Sequence, residues 1–263
     1  MLLLTLLVCS LNILFAFVGN CCHGRHNALW LGANMLQCIR RIGQWTFVVI
    51  LMFSSSVMAS ESFTFTPTPF EKAVLKTAPT LNPQVLNEAL IAYQSAKRQG
   101  VWVAHPYLTI IDYSLPSSEK RLWLIDIKHQ KSLLNVLVTH GSNSGALYPH
   151  AFSDRIGSHK SSVGLFRTGE SYDGNQGYSM VLDGLEPGFN GNAKKRFIVM
   201  HSGWYATPFA VEKYGRLGRS WGCPVVDPAI VHYLIDTIKD GSLLFAYYPN
   251  SYWLHHSKFL SHA

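Results

Sequence analysis

The sequence predicts a mostly β domain with flanking helices, on three observations. Five short runs rich in Val, Ile, Leu, Phe and Tyr recur between turn residues, each of strand length. Two amphipathic segments carry helix caps, one before these runs and one just ahead of the last. The stretch from 140 to 195 is dense in Gly, Ser and Asn, which predicts long loops or short hairpins rather than helices.

Taken in order, SFTFTPTP (62–69) reads as a Pro/Thr-rich linker. LNPQVLNEALIAYQSAKRQG then predicts a helix with Asn82 as its N-cap, Pro83 in the first turn and Gly100 as its stop. Leu86, Ala89, Leu90 and Tyr93 form the apolar stripe. Strands follow at 107–113, 121–127, 133–139, 196–200 and 243–248. The last helix, DPAIVHYLIDTIKDG, has Asp227 as N-cap and Pro228 in its first turn. Ile230, Leu234, Ile235 and Ile238 share a face, and Gly241 ends it. The expected organisation is a leader at 1–59, a linker and N-terminal helix at 60–104, a catalytic domain at 105–250 and a tail at 251–263.

The leader reads as export machinery. RRIGQWTFVVILMFSSSVMAS gives basic Arg40 and Arg41, an apolar core from Phe47 to Phe53, and small Val57 and Ala59 before Ser60, so cleavage is expected after Ala59. The apolar core is too short to span a bilayer comfortably. Upstream, Leu2–Gly19 is a second apolar run of 18 residues, either a membrane segment or part of an over-long start ahead of Met35. The expected location is the periplasm or cell envelope, with membrane contact only through the leader if it stays uncleaved.

Composition sets the remaining bounds. The 263 residues are 48% hydrophobic and 14% charged, which suits one substantial folded domain. From Ser60 onward 19 basic residues face 15 acidic ones, a net of +4, and no basic run is interleaved with aromatics, so nucleic acid is not an expected partner. Cys9, Cys21, Cys22 and Cys38 lie in the leader, leaving Cys223 alone in the mature chain. A solitary thiol in an oxidising compartment is exposed to damage, so it needs a reason to be there. A buried inert thiol is the plain alternative. Against it stands GRLGRSWGCPVV (215–226), an irregular Gly- and Arg-rich loop of the kind on which functional side chains concentrate.

That loop holds a second candidate nucleophile, Ser220. GRSWG matches the G-x-S-x-G elbow of α/β-hydrolases, but no apolar strand precedes it and Pro224 stands where the elbow helix would begin. Forty residues after Cys223 are also too few for a downstream acid, histidine and intervening strands. For Cys223 the better-placed base is His201, at a strand end before the flexible SGW. His140, which also ends a strand, is its rival, and His255, His256 and His262 read as a solvated tail. No Cys or His pair outside that tail has metal-ligand spacing, and neither metal nor other cofactor is expected. Arg216, Arg219 and Lys213 are candidates to meet carboxylates of a substrate, or equally a solvated charged face.

HSGWYATPFAVEKYGRLGRSWGCPVV resembles the active-site region of the YkuD-type murein L,D-transpeptidases, in which a His and a spacer precede Ser/Thr-His-Gly-Cys. FSDRIGSHKSSVGLFRTGESYDGNQGYSMVLDGLEPGFNGNAKKRFIVMHSGWY and YLTIIDYSLPSSEKRLWLID extend the resemblance from Tyr107 to Tyr248, to a divergent branch with SWGC. The resemblance implies a β-sandwich or β-barrel-like catalytic domain. It implies Cys223 as nucleophile, His201 as base with an adjacent imidazolium lowering the thiol pKa, and the Ser202 carbonyl orienting that ring. N–H groups near Gly222 and Cys223 would form the oxyanion hole. Beside these, Ser220, as a loop-shaping or substrate-contacting hydroxyl, Trp221, Arg219 and Arg216 are the expected substrate-side residues. Trp221 replaces the usual His, and the spacer of 18 residues between His201 and Ser220 is slightly long. The implied reaction is acyl transfer on peptidoglycan stem peptides through a Cys223 thioester with release of D-alanine. Hydrolysis by the same site (an L,D-carboxypeptidase) and a non-catalytic wall-binding module are the alternatives. Sortases need an Arg after the Cys, and none follows Arg219; Cys-dependent amidases place Cys before His.

Overall fold

A computed structural model describes residues 66–260; the leader and its expected cleavage point lie outside the described residues, as does His262. Helix α1 (Pro69–Thr77) opens the described chain and α2 (Pro83–Arg98) follows. The α1 start hides inside what reads as linker. Thr68 accepts from the Glu71 N–H (3.3 Å) while Glu71 accepts from the Thr68 N–H (2.6 Å), a reciprocal cap ahead of Pro69. Helix α2 begins where the sequence predicts, with the Asn82 side chain accepting from Gln84 N–H at 2.8 Å, and its stripe Leu86, Ala89, Leu90 and Tyr93 is buried.

Eight strands form a sheet: β1 (Tyr107–Asp112), β2 (Leu122–Asp126), β3 (Lys131–Val136), β4 (Gly164–Gly174), β5 (Gly177–Gly184), β6 (Val199–Ser202), β7 (Val225–Val226) and β8 (Leu243–Tyr247). Their order is β3-β2-β1-β8-β4-β5-β6-β7, antiparallel except for β1–β8 and β6–β7. Just past β3 the chain meets the far edge again. Thr139 N–H donates to Val225 O at 3.0 Å, and Gly141 bridges Ser220. The sheet therefore curls until its edges nearly close, a barrel-like answer to the exposed-edge problem.

Both faces are buried, which is why the strands read as unbroken apolar runs. Leu108 and Ile110 of β1, Trp123 and Ile125 of β2, and Leu243 and Phe245 of β8 face α1 and α2. Their alternates Ile111, Leu122, Leu124, Leu244 and Ala246 pack with Phe166, Met180, Met200 and helix α4 (Pro228–Ile238), which follows the short α3 (Pro208–Tyr214), on the other face. Helix α4 has the expected Asp227 cap, but ends at Ile238 ahead of Gly241.

Three sequence expectations change here. The 140–195 stretch contains the two longest strands, β4 and β5, whose register shifts between Thr168 and Ser171. The strand expected at 196–200 starts later, because Lys194–Arg196 is a 3₁₀ turn closed by Phe197. The tail is no solvated appendage. Ser251–His256 forms helix α5; His255 and His256 are exposed, but Trp253, Phe259 and Leu260 are buried in the same core as α1 and α2. Buried Glu186, pushed above the usual carboxylate range by desolvation, accepts from the Trp253 indole (3.2 Å) and from Leu165 N–H (2.7 Å), tying α5 to β4.

Candidate active site

The β4-to-β7 end of the sheet brings the candidate base to the candidate nucleophile. Tyr172 of β4 stands opposite Ser179 of β5, Ser179 opposite His201 of β6, and His201 opposite Val225 of β7, two residues after Cys223. Residues paired this way share a face of the sheet. His201 and Cys223 line one cleft of about 430 Å³, together with Phe197, Val199, Ser179 and the β4–β5 hairpin tip, Tyr172 to Gln176. The hairpin tip is the part of the site that sequence reading missed. Its signal, GESYDGNQGYS, was visible only as turn-rich composition.

His201 Nδ1 lies 2.8 Å from the Ser202 carbonyl, which can only accept, so Nδ1 carries the proton and Nε2 keeps a free lone pair. Burial holds the ring below the ordinary imidazole range, with the Ser202 bond opposing it. Burial thus favours the neutral ring. Cys223 is the free cysteine among the described residues, half-buried, with Val199 N–H donating to its sulfur (3.5 Å) and its S–H donating to Phe197 O (3.6 Å). Burial pushes the thiol up; the Val199 N–H and the Arg196 charge pull it down. The arrangement does not favour an imidazolium beside the thiol: among the described residues no hydrogen bond joins His201 to Cys223, and burial disfavours the charged form of each.

The other histidine has a different occupation. His140 is fully buried; Arg121 donates to its Nδ1 at 2.8 Å, so its Nε2–H points at Gly145 O, 3.3 Å away. Burial and the neighbouring Arg121 charge bring it down to about 4. Its backbone carbonyl accepts from Ser220 N–H at 3.1 Å, which makes it a brace behind the nucleophile loop.

Ser220 is likewise committed. It is 6% exposed, its hydroxyl donates to Cys223 O at 2.7 Å and accepts from Gly222 N–H at 3.0 Å, closing the turn that presents the thiol. Two expectations bear on this turn. Of the two roles expected for Ser220, the loop-shaping one matches these bonds; the Gly222 N–H is taken up by the Ser220 hydroxyl, whereas the Cys223 N–H donates to no other residue among those described. Gly222 has φ +126°, and a Cβ there would stand 2.7 Å from Lys160 O and 2.9 Å from Ile198 Cδ1, so only glycine fits.

Of the remaining candidates, Trp221 is 73% exposed and stacked on His159 (4.7 Å between centroids, 5° between planes). Arg219 reaches Ser142 O (3.4 Å) and Gly145 O (3.3 Å), and Arg216 bonds to Leu217 O at 2.9 Å. Lys213 lies over the rings of Phe209 and Tyr214. None of these lines the cleft, so the substrate-side role expected for Trp221, Arg216 and Arg219 finds no support in their placement.

Arg196, which the sequence does not single out, is the arginine held next to the Cys223 loop. Its Nη1 donates to Ser153 O and Ser162 Oγ (both 2.6 Å), and its Nη2 to Lys160 O (2.6 Å) and Ser158 Oγ (3.2 Å). The guanidinium passes within 3.3 Å of the missing Gly222 Cβ, and among the described residues it forms no salt bridge with an acid. It is a fixed positive charge beneath the nucleophile loop. Arg196→Gln should move the pH profile of Cys223 alkylation to higher pH, slowing iodoacetamide about 3- to 10-fold at pH 7. Arg196→Lys, which keeps the charge, should move it less. Iodoacetamide rates against pH decide the matter, and coincident profiles would disconnect the guanidinium from the thiol.

A family model described as the L,D-transpeptidase catalytic domain matches residues 77–247. A comparison with curated protein sequences returns no match. Among solved structures, an L,D-transpeptidase from Mycobacterium smegmatis is 12% identical with TM-score 0.34, over 54% of this chain and 59% of that one. An L,D-transpeptidase (Yku) from Stackebrandtia nassauensis is 11% identical with TM-score 0.34, over 69% and 77%. An L,D-transpeptidase (residues 123–326) from Xylanimonas cellulosilytica is 16% identical with TM-score 0.32, over 66% and 77%. The chain thus spans about three-fifths of the Mycobacterium smegmatis protein.

Proposed function

This chain belongs to the L,D-transpeptidase catalytic domain family, and from that premise we propose that it transfers acyl groups between peptidoglycan stem peptides through a Cys223 thioester. The observation that carries the reading is the cleft lined by both Cys223 and His201, the latter with its tautomer set by the Ser202 carbonyl.

The steps balance without an external reagent. As substrate fills the cleft, His201 Nε2 takes the Cys223 S–H proton and the sulfur attacks the carbonyl of the stem's third residue. Apo sites of this kind tighten when substrate binds. The Cys223 N–H donates to the oxyanion. The intermediate then collapses as the C–N bond to D-alanine breaks, and His201 Nε2–H returns the proton to the departing amine. In the second half an amine of a neighbouring stem attacks the thioester, gives its proton to Nε2, and the thiol is restored. Water in place of that amine makes the same site a carboxypeptidase. Incubation with a disaccharide tetrapeptide, with and without an amine acceptor, tests the reading. A cross-linked product together with free D-alanine supports transfer, free tripeptide supports hydrolysis, and a wild-type protein that releases no D-alanine sinks both in favour of a wall-binding module.

Export belongs to the same reading, because the substrate lies outside the cytoplasm. The Arg40–Ser60 pattern supports it. The protein recovered from the cell envelope should have an intact mass beginning near Ser60; a species retaining 1–59 would replace cleavage with anchoring.

A further inference from the structure

We propose that Phe197 is a substrate-contacting, specificity-determining residue, whose ring takes the methylene side chain of the stem residue that supplies the scissile carbonyl. The inference rests on the acyl-transfer reading above and names the part of the substrate that the cleft selects.

Phe197 is costly to the fold as it stands. It adopts φ 54° as the C-cap of the Lys194–Arg196 turn. Four non-glycine residues among those described have positive φ: Gln130, His159, Phe197 and Asp240. Short polar side chains tolerate the left-handed region, but a bulky aromatic there is an outlier, and outliers of this sort collect at ligand sites. The ring gives the fold little in return. It is 83% exposed, the most exposed of the large hydrophobic residues, and it packs on no other aromatic ring among the described residues. Glycine or asparagine would serve this backbone better.

Its position says what the ring is for. The carbonyl of Phe197 accepts the Cys223 S–H, so the residue is fixed against the reacting sulfur. The cleft has two unlike walls. Phe197 and Val199 make the apolar one beside Cys223, while Asp173, Asn175 and Gln176 on the hairpin tip make a polar one that also carries Tyr172. An extended peptide set against the sulfur places its amides toward the polar wall and its aliphatic side chain on Phe197. Trp204 and Trp221 are also exposed, but neither lines this cleft.

The test separates side chain from backbone. Phe197→Gly and Phe197→Asn remove the ring and suit the left-handed backbone, and Phe197→Tyr keeps a ring. Two tetrapeptide donors are compared, one with the natural long third side chain and one with alanine there. The ring-less variants should lose about 10- to 100-fold in kcat/KM on the long-chain donor, chiefly through KM. On the alanine donor the wild type should fall toward them, so ring and chain couple in the double cycle. Phe197→Tyr should match the wild type. Melting temperatures should stay within about 3 °C, and Cys223 should react with iodoacetamide within about twofold of wild type, since the carbonyl that holds the thiol is unchanged. Ring-less variants that turn over both donors like the wild type would overturn the inference, as would equal losses on both donors or a loss matched by slower alkylation. A wild type inert toward both donors with normally reactive Cys223 would overturn the acyl-transfer reading itself and this inference with it.

Discussion

Cys223→Ala should abolish D-alanine release from a disaccharide tetrapeptide, a loss of at least about a thousandfold, because it removes the sulfur on which the proposed acyl-enzyme forms. Val199, Phe197 and Ser179 offer no second nucleophile: Ser179 is 1% exposed and its hydroxyl donates to Gly177 O at 2.8 Å. The variant should fold normally, since the thiol's two contacts are long ones to Val199 N–H and Phe197 O, at 3.5 and 3.6 Å. Turnover with an unchanged melting temperature separates chemistry from stability. Release persisting in Cys223→Ala would remove the thioester from the account.

His201→Ala should cost about 10²- to 10⁴-fold in kcat/KM, the usual weight of a positioned general base. The pH dependence carries a sign. His201 must be neutral to accept the thiol proton, and burial holds its pKa below the ordinary value, so activity should persist as pH falls past about 6.5 and be lost only below it. His140→Ala should act differently. It leaves the Arg121 guanidinium, which donates to Val138 O and Leu115 O as well, without one partner, and should lower the melting temperature more than it reshapes the pH profile. Profiles of kcat/KM against pH for both variants distinguish them; a lost acid limb in His140→Ala and its retention in His201→Ala would exchange their roles.

Much of the frame was legible because local chemistry and global packing agree there. Asn82–Pro83 and Asp227–Pro228 start helices in the structure as in the sequence, and the apolar runs around 107–113 and 121–127 are strands buried on both faces. The β4–β5 hairpin was legible only as one of two options, long loops or short hairpins, and its length was not: its tip, residues 172–177, is exposed, so no alternation marks it. Thr68 and Glu71 were readable as a capping box but were hidden by the prolines around them. Trp253, Phe259 and Leu260 looked like scattered apolar residues in a polar tail, because only the tertiary fold supplies Glu186 and the core they enter.

At the site, Cys223 and His201 stood out by residue type, whereas the electrostatics did not. Arg196 reads as one of three surface charges in KKR until the structure turns it inward onto four acceptors. The Gly222 N–H looked free for an oxyanion until Ser220 Oγ was found 3.0 Å away. Whether a thiol in such a loop is lowered or raised also depends on burial, which a sequence does not state: here burial outweighs Arg196 and Val199.

The most direct test of the account is the intact mass of wild-type, Ser220→Ala and Cys223→Ala protein after brief exposure to the tetrapeptide donor and, separately, to a carbapenem. Peptide mapping then locates any adduct. The account predicts an acyl adduct on Cys223 in the wild type, a detectable adduct on the same residue in Ser220→Ala, slower to form because the turn has lost the hydroxyl that ties Gly222 N–H to Cys223 O, and none in Cys223→Ala. An adduct that survives in Cys223→Ala and disappears in Ser220→Ala would contradict it.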